Sequence, residues 1–157
     1  MITQLTLQAR DLMTPHTITI DGHARLREAL NLMQNHKITA LPVIDNQKRP
    51  IGVLSQTDIM RHLYENPEYN LIEVDYFEAD FPEGSLMRFD PSENQDLAVI
   101  DIMTPLVFSL GPDTPIKTVV EEMLGRKVHR LFVIDEEGAL AGVISSLDLV
   151  RHLQKML

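Results

Sequence analysis

The chain has 157 residues, 44% of them apolar and 24% charged, and a formal net charge of −9, which is typical of one ordinary globular domain or of two small domains packed together. The negative charge argues against general nucleic-acid binding, because neutralising phosphates requires a basic surface. The absence of cysteine excludes disulfides and thiol chemistry, and no apolar run approaches the roughly 20 residues that a membrane-spanning helix needs.

The first predicted elements follow an N-terminal stretch without signal character. Residues 1–10 lack a basic start followed by an apolar run, so we expect no signal peptide and a cytoplasmic location. A short β-prone run, Thr17–Ile20, comes next. The helix after it has one apolar face with i, i+3, i+4, i+7 spacing, formed by Leu26, Ala29, Leu30 and Met33. Two strands and a second helix are then predicted at Leu41–Ile44, Ile51–Leu54 and about Gln56 to Tyr64.

Between Tyr64 and Leu97 lies an acidic, aromatic-rich connector that carries the whole net charge. It holds ten acidic residues, a single basic residue, Arg88, and six of the eight aromatic residues. Disordered segments are usually poor in aromatics, so we expect the connector to pack over an edge of the folded module. The alternatives are a partner-binding or site-gating element, or a carboxylate site for Mg²⁺ or Ca²⁺, although the spacing matches no calcium loop.

After the connector, the same succession of elements is predicted again. Thr114 followed by Pro115 indicates the start of a helix, with Thr114 as the N-cap and Pro115 at the first helical position. The apolar face of this helix is formed by Ile116, Val119, Val120 and Met123. The strands and the last helix are predicted at Val107–Leu110, Leu131–Ile134, Leu140–Ile144 and about Ser146 to Met156.

The two sets of elements are copies of one sequence unit. Asp11–Leu63 aligns without a gap onto Asp101–Leu153, at an offset of 90 residues. Because a copy of roughly 55 residues buries little surface alone, we expect the copies to pack as a pseudo-twofold pair. Such a pair has two equivalent crevices, where ligand sites are common. The predicted parts of the chain are residues 1–64, the connector 65–97 and residues 98–157.

Three motifs recur in order in both copies: Asp-h-Met-Thr-Pro, h-h-Val-h-Asp and Gly-h-h-Ser-x-x-Asp, where h is apolar. They resemble those of the CBS domain pair, also called a Bateman module. The resemblance implies an α+β fold, a tandem pseudo-twofold pair of βαββα repeats that often dimerises into a disc, here as a homodimer. It also implies a regulatory protein rather than an enzyme, one that binds AMP, ADP, ATP or a related adenosyl compound and signals to a partner protein.

The Ser-x-x-Asp motifs, at Ser55–Asp58 and Ser145–Asp148, each end a predicted strand and begin a helix. The residues alone favour a helix cap, in which the Ser oxygen accepts an early backbone N–H and the Asp lies near the positive end of the helix dipole. A carboxylate at this position can also accept hydrogen bonds from both hydroxyls of a ribose. The family resemblance favours the second role, because this Asp is the usual ribose ligand there.

The resemblance also implies that each site combines Ser and Asp from one copy with an adenine pocket from the other. Site one would contain Ser55, Thr57, Asp58, Val107, Phe108, Val128, His129 and Arg130. Site two would contain Thr17, Ile18, Ile38, Thr39, Ser145 and Asp148. The resemblance implies that His129 and Arg130 lie where family members often contact phosphate, and Arg can do this bidentately. The equivalent Thr39 and Ala40 offer no cation, with nearby Lys37 as the one substitute, so we expect site one to prefer the phosphorylated ligand. Leu147, in place of the hydroxyl of Thr57, weakens the prediction for site two further.

Two other functions remain as alternatives. The first is a ligand-free dimerisation or scaffold module, and the second is a Mg²⁺-responsive module that uses the acidic connector. An enzyme is the poorest fit, because no glycine-rich phosphate loop, nucleophile elbow or Ser/His/Asp set stands out. No clustered His, Asp and Glu spacing supports a zinc site, and His62 and His152 are expected to be structural or surface residues.

Overall fold

The computed structural model describes residues 6–15, 17–66, 97–105 and 107–157. The first copy forms α1 (Ala9–Leu12), β1 (Thr14–Pro15), β2 (Ile20–Asp21), α2 (Leu26–His36), β3 (Ala40–Ile44), β4 (Pro50–Ser55) and α3 (Gln56–Glu65). The second copy forms α4 (Val99–Ile102), β5 (Ser109–Leu110), α5 (Ile116–Arg126), β6 (Arg130–Ile134), β7 (Leu140–Ser145) and α6 (Ser146–Met156). The predicted α+β fold of two βαββα copies is confirmed.

Two sheets hold the copies together. In the first copy, β2 pairs in parallel with β3, which pairs antiparallel with β4. In the second copy, β5, β6 and β7 repeat this pattern, and β1 from the first copy adds a short antiparallel edge to β7. Conversely, Thr104 of the second copy forms an isolated antiparallel bridge with Val53 in β4 of the first copy. Each sheet is therefore completed by a segment from the other copy.

The cores are exchanged in the same way. The first core is built on the buried faces of α2, β3 and β4, and it includes Val99 and Ile102 from α4 of the second copy. The second core contains Val119, Leu131 and Ile144, together with Ala9 from α1 of the first copy. Since each core contains a helix from the other copy, the two copies bury their apolar faces as one unit.

The short helices α1 and α4, which the sequence analysis did not predict, explain the Asp-h-Met-Thr-Pro motif. Asp11 lies in the first turn of α1, where its Oδ2 accepts the backbone N–H of Gln8 at 2.8 Å. Asp101 of α4 likewise accepts the backbone N–H of Ala98 at 3.2 Å. An acidic residue in the first turn also interacts favourably with the helix dipole. The motif thus begins each of the exchanged helices.

The glycines of the Gly-h-h-Ser motif allow the exchanged segments to approach the sheets closely. A Cβ on Gly52 would lie 2.6 Å from the backbone oxygen of Thr104 and 2.8 Å from Sδ of Met103. A Cβ on Gly142 would lie 2.8 Å from both the backbone oxygen of Thr14 and Sδ of Met13. These distances are shorter than real Cβ contacts, so both positions require a residue without a side chain.

The structure corrects the predicted extents of β2 and β5 and the predicted start of α5. The β-prone runs yield only the two-residue strands β2 and β5, since Thr17 and Val107 lie outside them. Thr114 is not the N-cap of α5, because Pro115 occupies that position and the helix begins at Ile116. The backbone oxygen of Thr114 instead accepts the N–H of Ala9 at 2.8 Å, which joins it to α1.

Residues 67–96, which form most of the connector, lie outside the described residues. The predictions made for it, including packing over an edge and a Mg²⁺ or Ca²⁺ site, therefore stay predictions. Within the described ranges, none of the helices is long and apolar enough to cross a membrane.

Candidate functional site

The two strand–helix junctions have nearly the same internal geometry. Ser55 is the N-cap of α3, and its Oγ accepts the backbone N–H of Asp58 at 3.1 Å. Oδ2 of Asp58 accepts both the backbone N–H and the hydroxyl of Ser55, each at 2.8 Å. Ser145 and Asp148 repeat these bonds at the start of α6, at 3.2, 2.8 and 2.8 Å. The expected capping role is therefore confirmed at both junctions, and it occupies one oxygen of each carboxylate.

The second carboxylate oxygen distinguishes the junctions. Oδ1 of Asp58 accepts a hydrogen bond of 2.8 Å from the hydroxyl of Thr104, which belongs to the other copy, and lies 3.7 Å from Nη1 of Arg61. The Asp58 side chain is only 8% exposed. A hydrogen bond to an ionised carboxylate is stronger than one between neutral groups. Both oxygens of Asp58 are therefore engaged within the protein.

Oδ1 of Asp148 has a weaker partner. Its contact is Nη1 of the exposed Arg151 at 3.4 Å, and the Asp148 side chain is 13% exposed. Thr14, the counterpart of Thr104, makes no hydrogen bond to Asp148, although the structure describes both residues. The oxygen of Asp148 that capping leaves unused is thus more accessible to a ligand hydroxyl than its counterpart on Asp58.

A cavity of about 170 Å³ opens beside Asp148, between α1 and α6. It is lined by Asp11, Leu12, Asp148, Arg151, His152 and Lys155. Arg151 and Lys155 bring two positive charges next to the two carboxylates. At the corresponding positions of the first copy lie Arg61 and Glu65, so the Asp58 junction has one cation fewer and one more acid.

A second cavity, of about 230 Å³, lies between the copies. It is lined by Thr17, Thr19, Ile44, Lys48, Leu140, Ala141 and Gly142. Thr17, predicted for site two, lines this cavity together with residues of the second copy. It meets β7 near Leu140, however, whereas Ser145 is at the other end of this strand. The two cavities lie at opposite ends of β7.

Other predicted site residues lie at or just before the first residues of β3 and β6, and they contact the strand–helix junction of their own copy. The backbone oxygen of Thr39 accepts the N–H of Gln56 at 2.9 Å, and the backbone oxygen of His129 accepts the N–H of Ser146 at 2.9 Å. Arg130 is the partner of Ser145 across β6 and β7. No hydrogen bond or ion pair among the described residues joins these side chains to the junction of the other copy.

The apolar residues predicted for the adenine pockets are half-buried and support the cores. Ile18 and Ile38 pack against the first core, and Phe108 and Val128 pack against the second. The ring of Phe108 also lies 4.7 Å from the guanidinium carbon of Arg126, within the range of a cation–π interaction. Val107 is half-buried, and Thr57 is exposed on α3. The membership of both predicted sites stays a prediction.

The sequence analysis missed three residues that define the junctions. Thr104 belongs to the repeated Met-Thr-Pro motif, and its recurrence with a hydroxyl in both copies was the available signal. Arg151 and Lys155 follow Asp148 by three and seven residues, a spacing that places all three side chains on one helical face. Across the described part of the chain, no group of three or more His, Asp or Glu side chains could hold a metal ion.

Comparisons with known proteins agree with this architecture. A family model described as CBS domain matches residues 9–65 and 99–155. The chain is 28% identical over 151 residues to the uncharacterized protein MJ1426 of Methanocaldococcus jannaschii, covering 92% of this chain and 89% of that protein. It also matches the inosine-5'-monophosphate dehydrogenases of that organism and of Aquifex aeolicus, but spans only 24% and 23% of their lengths.

Two solved structures share the fold over nearly the whole chain. The crystal structure of CBSX2 in complex with AMP has a TM-score of 0.70 at 24% identity and covers 95% of this chain and 97% of that one. The CBS domain pair of protein MJ0100, in complex with 5'-methylthioadenosine and S-adenosyl-L-methionine, has a TM-score of 0.67 at 18% identity. It covers 97% of this chain and 99% of that one.

Proposed function

Because the chain belongs to the CBS domain family, we propose that it is a regulatory module that binds an adenosine-type nucleotide between its two copies and signals to a partner protein. AMP, ADP, ATP and related adenosyl compounds form the ligand class. The observation that carries this proposal is the pair of capped aspartates, Asp58 and Asp148, each fixed at a junction with one carboxylate oxygen left over from capping.

The chemistry of the junctions suits a ribose. A carboxylate accepts hydrogen bonds and donates none, and the two hydroxyls of a ribose are adjacent donors. The Ser–Asp bonds fix the orientation of the carboxylate before a ligand arrives, so little rotamer entropy is lost on binding. Half-buried apolar residues from both copies provide surfaces on which an adenine base can pack.

The relatives support the same class of ligand. CBSX2 was crystallised with AMP, and the MJ0100 domain pair with two adenosyl compounds. Members of this family are regulatory modules, and the dehydrogenases that contain the same pair are about four times longer than the matched part. We accordingly assign the chain no catalytic activity of its own.

Regulation requires a second state or a partner with unequal affinity for the free and bound protein. We place the module in the cytoplasm as a homodimer. The outer face of α6 supports this arrangement, because its large apolar side chains are exposed: Leu147, Val150, Leu153 and Met156. The same exposed face favours a second candidate function, a dimerisation scaffold that needs no ligand.

The decisive experiment is calorimetric titration of ligand-free protein with AMP, ADP, ATP and S-adenosylmethionine. Saturable binding is expected, and the double variant Asp58→Asn/Asp148→Asn should weaken it by about 100-fold, because each amide replaces an acceptor oxygen and a charge. The matched control is Asp135→Asn, which removes one charge from the β6–β7 turn, where Asp135 accepts two backbone N–H groups at 2.9 Å.

Binding that survives in the double variant would contradict the proposed role of the aspartates. If none of the four compounds binds the native protein, the scaffold function takes precedence. Sedimentation of the ligand-free chain, with Val150→Glu as the variant on the outer face of α6, then tests that function.

A further inference from the structure

The two copies repeat the Ser–Asp cap but differ in what occupies the remaining carboxylate oxygen. At Asp58 this oxygen accepts the hydroxyl of Thr104 at 2.8 Å, and at Asp148 it has only the long contact to Arg151. Thr104 and Thr14 occupy equivalent positions of the repeated motif. The difference is therefore one of local geometry, since both copies contain the same hydroxyl.

We propose that Thr104 closes the Asp58 site, so that the chain binds one nucleotide, at Asp148. This inference rests on the proposed function and adds which of the two junctions is used. It makes Thr104 a specificity-determining residue that selects between two sites of similar sequence. The preference is the reverse of the one expected from the sequence, which placed the phosphorylated ligand at site one.

The hydroxyl of Thr104 occupies the position that a ribose hydroxyl would need. A donor on the ligand competes with a donor already at hydrogen-bonding distance from Oδ1, so binding at Asp58 replaces one protein bond instead of adding one. Thr104 is held in place by its backbone, which exchanges two hydrogen bonds with Val53, at 2.9 and 2.8 Å. The hydroxyl is thus presented to Asp58 by a fixed segment.

At Asp148 the competing group is easier to displace. The Arg151 side chain is mostly exposed and lies 3.4 Å from Oδ1, at the limit of a hydrogen bond. Its release leaves the guanidinium free to pair with a ligand phosphate, as Arg does bidentately. The departing partner of the carboxylate therefore becomes a partner of the ligand.

The charges around the two junctions favour the same site. Lys155 lines the cavity beside Asp148, whereas its counterpart in the first copy is Glu65. Arg130 pairs across the sheet with Ser145, whereas Ala40 pairs with Ser55. The cavity also contains the carboxylate of Asp11, which limits the positive charge. A phosphorylated ligand in this cavity therefore meets Lys155, whereas the first copy has an acidic residue at the corresponding position.

The test is calorimetric stoichiometry with AMP as the probe. The native chain is expected to bind one equivalent, and Asp148→Asn should lose this binding while Asp58→Asn keeps it. Thr104→Val removes the hydroxyl at nearly constant shape and should add a second equivalent, or tighten a weak second site by at least about tenfold. Thr104→Ser keeps the hydroxyl and should behave as the native chain does, and Thr14→Val is the matched control with one equivalent.

Each other outcome rejects the inference. One equivalent in Thr104→Val, two equal sites in the native chain, or binding abolished by Asp58→Asn but retained in Asp148→Asn would each overturn the role of Thr104 while leaving the proposed function intact. Flat titrations for all variants and for ADP, ATP and S-adenosylmethionine would overturn both. Circular dichroism of Thr104→Val identifies a folding defect, and Thr104→Ala then replaces it in the same titration.

Discussion

The first and second copies have the same sequence motifs and the same order of central elements, yet they differ in the partner of one carboxylate oxygen at the strand–helix junction. Ser55 and Asp58 form the same three hydrogen bonds as Ser145 and Asp148. The difference lies in the neighbouring side chains. Thr104 of the other copy donates a hydrogen bond to Asp58, whereas Arg151 and Lys155 of α6 lie beside Asp148. The repeat thus conserves the hydrogen bonds within each junction more closely than the side chains around it.

The largest effect on stability is expected where the copies are most alike, in their cores. Leu41 and Leu131 are equivalent and buried, with 0% and 2% exposure. Replacing either with Ala should lower the free energy of unfolding by about 3 kcal/mol, because the change removes apolar contacts and leaves a cavity. Urea denaturation followed by circular dichroism measures this. A single transition is expected in both variants, since each core includes a helix from the other copy.

Two separate transitions in either variant would contradict the expectation that the two copies unfold as one unit. The controls are the native chain and the double variant Leu41→Ala/Leu131→Ala. If its loss of unfolding free energy equals the sum of the two single losses, the substitutions do not perturb each other.

A smaller effect is expected at the glycines where the exchanged segments cross. Gly52→Ala and Gly142→Ala should each cost about 2 kcal/mol, because the new Cβ would overlap backbone oxygens of the other copy. Thermal unfolding measures both losses. Gly22→Ala serves as a comparison, since the atom nearest to its new Cβ is the end of a flexible side chain, Cδ1 of Ile51, which can move. Equal losses at Gly22 and Gly52 would show that backbone crowding is not the cause.

The smallest effect on stability is expected at a position where the two copies differ. Gly125 lies inside α5, where the first copy has Asn35, and a Cβ there would have no neighbour within 4 Å. Gly125→Ala should therefore stabilise the chain by about 0.5–1 kcal/mol through helix propensity alone. Denaturant midpoints measure the gain. A loss of stability would mean that this face of α5 is covered by another part of the protein.

Most of the fold could be predicted because it depends on local periodicity and on repetition. The positions of α2, α5 and the central strands followed from apolar spacing, and β3, β4, β6 and β7 were predicted to within two residues. The helices α1 and α4 were missed because each has four residues and packs in the other copy, so its stability comes from tertiary contacts. The cap of α5 was misplaced because the oxygen of Thr114 serves α1.

The candidate site was predictable only in part. Ser55, Asp58, Ser145 and Asp148 were identified from their motif, whose local bonds the structure confirms. The partner of Asp58 was not, because Thr104 is 46 residues away and acts from the other copy. Such a contact depends on which segment crosses to which sheet, and nothing in the spacing within one copy encodes it.

The exchange of α1 and α4 determines how this protein can be dissected or transplanted. A fragment cut at the sequence repeat would keep a leading helix whose binding surface is in the missing half, and it would leave an uncovered apolar groove in place of the other helix. Such fragments are candidates for domain swapping and aggregation instead of independent folding. The smallest unit that can be grafted onto another protein is therefore the intact pair, joined by its connector.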